Sequence, residues 1–301
     1  MGRLKSGSVS CFVKVRALLV IADDDVRSEI TATLNAKYAR GDVLAANTIE
    51  AAAKLMMDEK FDLIFADAHI GTFFFASFCK EIRLGRLGTH PFPIIFILVR
   101  RTEPDLIRKV VDCGPDDILV LPLKPGQIAS LLEFFGHSRK PFVVTRDYTG
   151  PDQRSAPLDG TEVIPLIPVP NPLAAKIRHV NENVLQQKID AASKRLSTLR
   201  VRRYGVQLRW LANTMTKIIN HVGGTNAEVL GFCQKILDVV ELVKKAGRGI
   251  LKGSLMELSD SLSATTREIQ TVRGDFSVRL LTDVGTGADA VVAEINLLFP
   301  D

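Results

Sequence analysis

The sequence predicts an α/β half followed by an all-α half: a doubly wound, five-stranded parallel sheet and then a helical bundle. Three observations carry this expectation. From Val15 to about Phe135, short β-rich apolar runs alternate with amphipathic stretches of helical period, the pattern of a parallel sheet covered on both faces. Between His137 and Pro172, prolines at 141, 151, 157, 165, 168, 170 and 172 forbid a continuous helix or central strand. From Leu173 onward the helical period runs almost to the end.

The strands are expected at Val15–Ile21, Asp42–Ala46, Phe61–Ala66, Pro93–Val99 and Asp117–Leu121. Helical spacing fills the intervals near Val26–Ala36, Ile49–Glu59, Phe74–Arg86, Glu103–Asp112 and Gly126–Phe135. Further helices are expected near 173–202, 206–221, 226–246, 254–272 and 287–298, with glycines marking the breaks, among them Gly205, Gly223, Gly224, Gly274 and Gly285. Apolar stripes such as Val229, Phe232, Ile236, Val239, Val240 and Val243 suit a bundle. The domain plan is a leader over 1–14, an α/β domain over 15–136, a proline-rich linker over 137–172 and a helical domain over 173–301. A chain of 301 residues is long enough for two cores.

The net charge of +5 and the pI near 9.0 are mildly basic. Such a balance fits a solvated basic face as readily as an attraction to nucleic acid, anionic lipid or an acidic protein. Cys11, Cys79, Cys113 and Cys233 lie far apart without metal-type spacing, so buried free thiols in a reducing, cytoplasmic compartment are expected. The apolar stretch Ala17–Ala22 is too short for a signal core or a membrane span. No Ser-His-Asp or Cys-His set suggests a hydrolase, and no enzymatic activity is expected.

Asp67 closes the apolar run that begins at Phe61, and Asp23, Asp24 and Asp25 close the one that begins at Leu18. In a parallel sheet, ligands bind beyond the carboxyl ends of the strands, where these acids fall. Facing carboxylates there could hold a divalent cation and a phosphoryl group. Asp23 or Asp25 could equally cap the helix that follows.

Residues 15 to 135, about two fifths of the chain, resemble the receiver domain of two-component response regulators. The resemblance rests on Leu18-Leu19-Val20-Ile21-Ala22-Asp23-Asp24, Phe61 to Asp67, Cys113-Gly114-Pro115-Asp116-Asp117 and Leu123-Lys124-Pro125. It implies a flavodoxin-like strand order and Asp67 as phospho-acceptor from a histidine kinase or phosphotransfer protein. It implies Mg²⁺ held by Asp23, Asp24, Asp67 and the main chain of His69, with Lys124 on the phosphoryl oxygens. The sequence departs from the family at Ala22, where many receivers carry the first acid. Ile97-Leu98-Val99 supplies no hydroxyl at the end of the fourth strand, and Leu121 stands where an aromatic is usual.

Gly150-Pro151-Asp152-Gln153-Arg154 resembles a short Gly-Pro-Asp-Arg-Arg element of alphaproteobacterial regulators. The helical half resembles no known effector. His179 and His221 lie where a phosphotransfer histidine would need to be, without its surrounding pattern. The basic stretch Lys194–Arg203, with Arg209 and Trp210, lacks a helix-turn-helix spacing. The expected function is therefore an atypical response regulator whose helical domain acts through protein contacts, with self-association an option. The alternatives are a DNA-binding regulator using the helix 194–209 and a docking scaffold independent of phosphorylation.

Overall fold

The computed structural model describes residues 14–38, 42–71, 73–154, 164–222, 226–247, 253–271 and 278–299, without the side chains of 219–222, 226 and 278. The expected leader up to residue 13, Cys11, the middle of the proline-rich stretch, the side chain of His221 and the breaks at Gly223, Gly224 and Gly274 lie outside the described residues. The described residues form two compact units. One comprises residues up to 143 together with 148–193, the other 144–147 with 194 onward.

The first unit is built on β1 (Arg16–Val20), α1 (Asp24–Lys37), β2 (Asp42–Ala45), α2 (Ile49–Asp58) and β3 (Leu63–Asp67). A small hairpin of β4 (His69–Ile70) and β5 (Phe73–Phe74) follows, then α3 (Ala76–Arg83), β6 (Ile94–Val99), α4 (Pro104–Val111), β7 (Asp117–Val120) and α5 (Gln127–His137). Five strands, all parallel, form one sheet in the order β2-β1-β3-β6-β7. Its order is flavodoxin-like, as expected. Strand alternation sorts the core into two layers. Leu18, Ile64, Ile95 and Ile97 pack with Ala52, Met56, Cys79 and Ile82 on one face, and Leu19, Phe65, Phe96 and Leu98 with Ile30, Leu34, Ile128 and Leu132 on the other. Every residue of β3 and β6 is buried, which is why these strands read as unbroken apolar runs.

The segment after α5, expected to be a linker from 137 to 172, packs on the first unit wherever it is described on either side of residues 144–147. It holds β8 (Phe142–Val144), β9 (Thr149–Pro151) and α6 (Pro172–Ile177), and a bridge pairs Phe142 with Ile167. Its anchor is ionic. Arg139 donates to both carboxylate oxygens of Asp116, at 2.9 and 3.0 Å, and to the carbonyls of Phe92, Pro93 and Pro170. Arg83 donates to Asp116 at 2.6 Å and to the carbonyls of Gly114, Pro91 and Pro93. All three side chains are buried, and the Phe142 ring lies 5.0–5.1 Å from both guanidinium carbons. Burial pushes the Asp116 carboxyl up, but the two guanidiniums outweigh it and hold the group below its usual range.

The Gly150–Arg154 element completes this anchorage. A Cβ on Gly150 would lie 2.9 Å from the Gly114 Cα, and one on Gly114 would lie 2.9 Å from the Thr149 carbonyl, so the two loops meet backbone to backbone. Gln153 donates to the Pro115 carbonyl, the Asp152 N–H to the Pro141 carbonyl, and Tyr148 Oη to the Pro151 carbonyl.

The second unit draws its core from α7 (Glu182–Val222) beyond residue 193, α8 (Asn226–Ala246), α9 (Gly253–Thr271) and α10 (Val278–Leu298). Leu208, Met215, Ile236, Val240, Leu262, Ile269, Val291 and Ile295 are among its buried residues. Two expected breaks are absent. α7 runs through Tyr204-Gly205 and α10 through Gly285–Gly287, and Gly205 and Gly287 serve close helix packing. A Cβ on Gly205 would stand 3.1 Å from Ile295 Cδ1, and one on Gly287 3.1 Å from Leu262 Cδ1. The break falls instead at 178–181, where His179 has φ 51° in the turn between α6 and α7, so His179 is not on a bundle helix.

Replacing Asp116 by Ala strands two buried guanidiniums. The expected loss is about 3–5 kcal/mol, read from the urea midpoint of the full chain, and a change below about 1 kcal/mol would remove the ionic anchor from its structural role.

Candidate functional site

Asp67 is the last residue of β3, paired in register with Leu98, and is 6% exposed. The strand brings its carboxylate to the carboxyl edge of the sheet, where one oxygen accepts the Ala22 N–H at 2.9 Å. Burial raises its pKa above the ordinary aspartate value, while the Ala22 N–H and the Arg100 charge pull it down and Asp23 pushes it up. The carboxylate lines a cleft of about 430 Å³ together with Ala22, His69, Leu98, Val99 and Arg100.

Asp23 follows β1 and caps α1. Its Oδ1 accepts the N–H groups of Asp25 and Val26, at 3.1 and 3.2 Å, and its Oδ2 accepts Arg100 Nη2 at 3.2 Å. These hydrogen bonds, the Val26 N–H first, hold its pKa below the usual value against the effect of burial. Asp24 turns outward, its side chain 83% exposed, and pairs with Arg27. The His69 ring is exposed and lies 5.2 Å from the Phe74 ring across the small hairpin. The run Phe73–Phe75 divides, with Phe75 in the core and Phe73 exposed.

Lys124 does not line the cleft. β7 ends at Val120, opposite Val99, and the Leu121 N–H donates to the Val99 carbonyl, so the residue at the sheet edge is Leu121. Lys124 is exposed four residues beyond the strand, its N–H on Gln127 Oε1 and its carbonyl accepting the Gln127 N–H. The cation that does reach the acids is Arg100, which sequence reasoning assigned no role. Its signal was positional, since it directly follows the last residue of β6.

The structure thus brings Asp67, Asp23 and the His69 backbone region to one edge of the sheet and leaves Asp24 and Lys124 outside. Among the described residues, no three His, Cys, Asp or Glu side chains gather as a metal-holding group. Mg²⁺ needs oxygen donors in near-octahedral array. Here the Asp23 carboxylate is engaged by a helix cap and by Arg100, which lines the cleft. A hydrated Mg²⁺ held by Asp67, Asp23 and the His69 main chain would have to share Asp23 with this cap and with Arg100.

Comparison with solved structures aligns 40% of this chain with receiver domains. One is the chemotaxis protein CheY4 of Vibrio cholerae, at 22% identity over 97% of that chain with a TM-score of 0.35. A second is a response regulator from Thermotoga maritima, at 22% identity over 92% of that chain with a TM-score of 0.33. A third is the receiver domain of the sensor histidine kinase PA1611 of Pseudomonas aeruginosa, described with a magnesium ion coordinated in its active site cleft, at 21% identity over 95% of that chain with a TM-score of 0.34. No family model and no curated protein matches the chain. The first unit is receiver-like. Its own strand order and its acid at the end of the third long strand carry that description.

Loss of the Asp23 cap in Asp23→Ala is expected to cost about 1 kcal/mol, and to free Arg100 toward Asp67. Asp67→Asn should act oppositely. A carboxyl whose pKa is raised on folding loses stability as pH climbs through that folded pKa. The Asn variant should therefore gain stability over the wild type at neutral pH and lose that advantage in acid. Thermal unfolding at a series of pH values reads both effects.

Proposed function

We propose that this chain is a response-regulator-like signalling protein, without enzymatic activity, whose receiver-like unit works as a docking module rather than through Mg²⁺-dependent phosphoryl transfer. The observation that carries this reading is Arg100 bridging to Asp23 beside Asp67, where a cation is supplied by the chain itself. A tethered guanidinium on Asp23 supplies positive charge beside Asp67 where a metal otherwise would. The partner class is a histidine kinase or phosphotransfer protein, and the helical unit works through protein contacts. DNA recognition by residues 194–209 is disfavoured because Arg200 is buried and Arg209 pairs with Asp289, so the basic stretch is not one continuous phosphate-facing surface.

A second reading, phosphoryl acceptance at Asp67, is favoured by that carboxylate lining a cleft at the carboxyl edge of the sheet. Incubation of the full chain with acetyl phosphate, with and without Mg²⁺, separates the two. The docking reading expects wild type to be labelled no more than Asp67→Asn and Mg²⁺ to change nothing. Mg²⁺-dependent labelling of wild type that vanishes in Asp67→Asn would replace it with the phospho-acceptor reading.

A further inference from the structure

At the opposite, amino-terminal edge of the sheet lies a second cleft, of about 310 Å³. That volume suits a small molecule. Its walls are the start of β1 at Arg16, the end of α2 with Asp58, Glu59 and Lys60, the approach to β3 at Asp62, the loop carrying His90, α6, and the first turns of α7. All of these belong to the first unit.

The charges on its walls are unequally committed. Lys14 pairs with Asp42 at 3.1 Å, Arg16 with Asp42 at 2.9 Å and with Glu59, Lys176 with Glu182 at 2.8 Å, and Lys60 donates to Gln186 at 2.9 Å. Asp62 is different. It is 7% exposed, and the hydrogen bond it accepts is the Arg16 backbone N–H on Oδ2, at 2.9 Å. No described side-chain cation is bonded to it. His90, also buried, accepts the Phe92 N–H on Nδ1, and burial pulls its pKa down to about 4, so it brings no competing positive charge. Leu185, Ile189 and Pro172 supply an apolar wall.

We propose that this cleft binds a small organic cation, an alkylammonium or alkylguanidinium, with its charged head on Asp62 and its aliphatic body against Leu185 and Ile189. A buried carboxylate with one backbone donor has lone pairs to spare for N–H donors. Of the cations on the rim, Lys14, Arg16 and Lys176 already hold carboxylates, and Lys60 holds the Gln186 amide. A metal ion is the poorer fit, since no three ligating side chains converge here among the described residues and one wall is apolar. The site is separate from the Asp67 cleft, at the other end of the same strands.

Burial raises the Asp62 pKa to about 6, with the Arg16 N–H, Lys176 and Arg16 lowering it and Glu182 raising it. Binding of a cation therefore weakens as pH falls through that value. The test is calorimetric titration of the full chain with butylguanidinium and agmatine at pH 7.5. Wild type is expected to bind, Asp62→Asn to bind at least about tenfold more weakly, an effect of about 1.4 kcal/mol, and Asp67→Asn to bind like wild type. Asparagine keeps an oxygen for the Arg16 N–H, and a wild-type titration at pH 5, expected to be about tenfold weaker, reads the same carboxylate without any substitution. No heat up to tens of millimolar, or equal affinity at pH 5 and 7.5, would overturn the proposal. So would undiminished binding by a folded Asp62→Asn variant.

Discussion

Asp116 lies between two buried guanidiniums, and through Arg139 it anchors the start of the segment that follows α5 in the first unit. Two positive charges face one negative charge, so the cluster keeps an excess that burial would penalise heavily if it were bare. The chain spreads that excess over carbonyl dipoles and over the face of Phe142. Three of the carbonyls belong to Pro91, Pro93 and Pro170. A proline has no N–H to satisfy, so it can lend its carbonyl to an arginine in a dry interior without leaving a donor unpaired. Pro91 and Pro93 precede β6, and Pro170 lies in the stretch after α5.

The cluster also divides the sheet by function. Asp116 and Pro93 stand just before β7 and β6, so the amino-terminal edge is committed to holding the extension, α6 and the start of α7. The carboxyl edge is left to the loops after β1, β3 and β6, which carry Asp23, Asp67 and Arg100. This separation lets the Asp67 cleft stay open while the opposite edge is covered by later chain.

The parallel sheet was legible because strands buried on both faces must be apolar at every position, and β3 and β6 are. Asp67 was legible because a carboxylate ending such a run has nowhere to point but the sheet edge. Lys124 was read from a Lys-Pro dipeptide, a local signal, whereas its place relative to the sheet edge depends on where β7 ends, and β7 ends at Val120. Arg100 was hidden for the opposite reason, its partner Asp23 being 77 residues away. Proline density suggested a linker at 137–172, and nothing local in Arg139 announces a pairing with Asp116. In the bundle, the cost of a helical glycine, about 1 kcal/mol, suggested breaks that the contacts of Gly205 with Ile295 and Gly287 with Leu262 override.

The proposed docking role follows from what a tethered cation can and cannot do. A switch requires a ligand that binds one conformation better than another, and its reach is limited by that difference in affinity. A metal and a phosphoryl group come and go, so they can bias a loop on one occasion and release it on the next. Arg100 is always present. Its charge acts on Asp67 and Asp23 in every molecule, and Leu98 and Val99 offer no hydroxyl through which an arriving group could pull the strand end. On this reading the carboxyl edge has one set of charges at neutral pH and so presents one surface. Changes of state would then have to enter through binding of a partner or through the other edge of the sheet, where Asp62 faces the first turns of α7 across the second cleft.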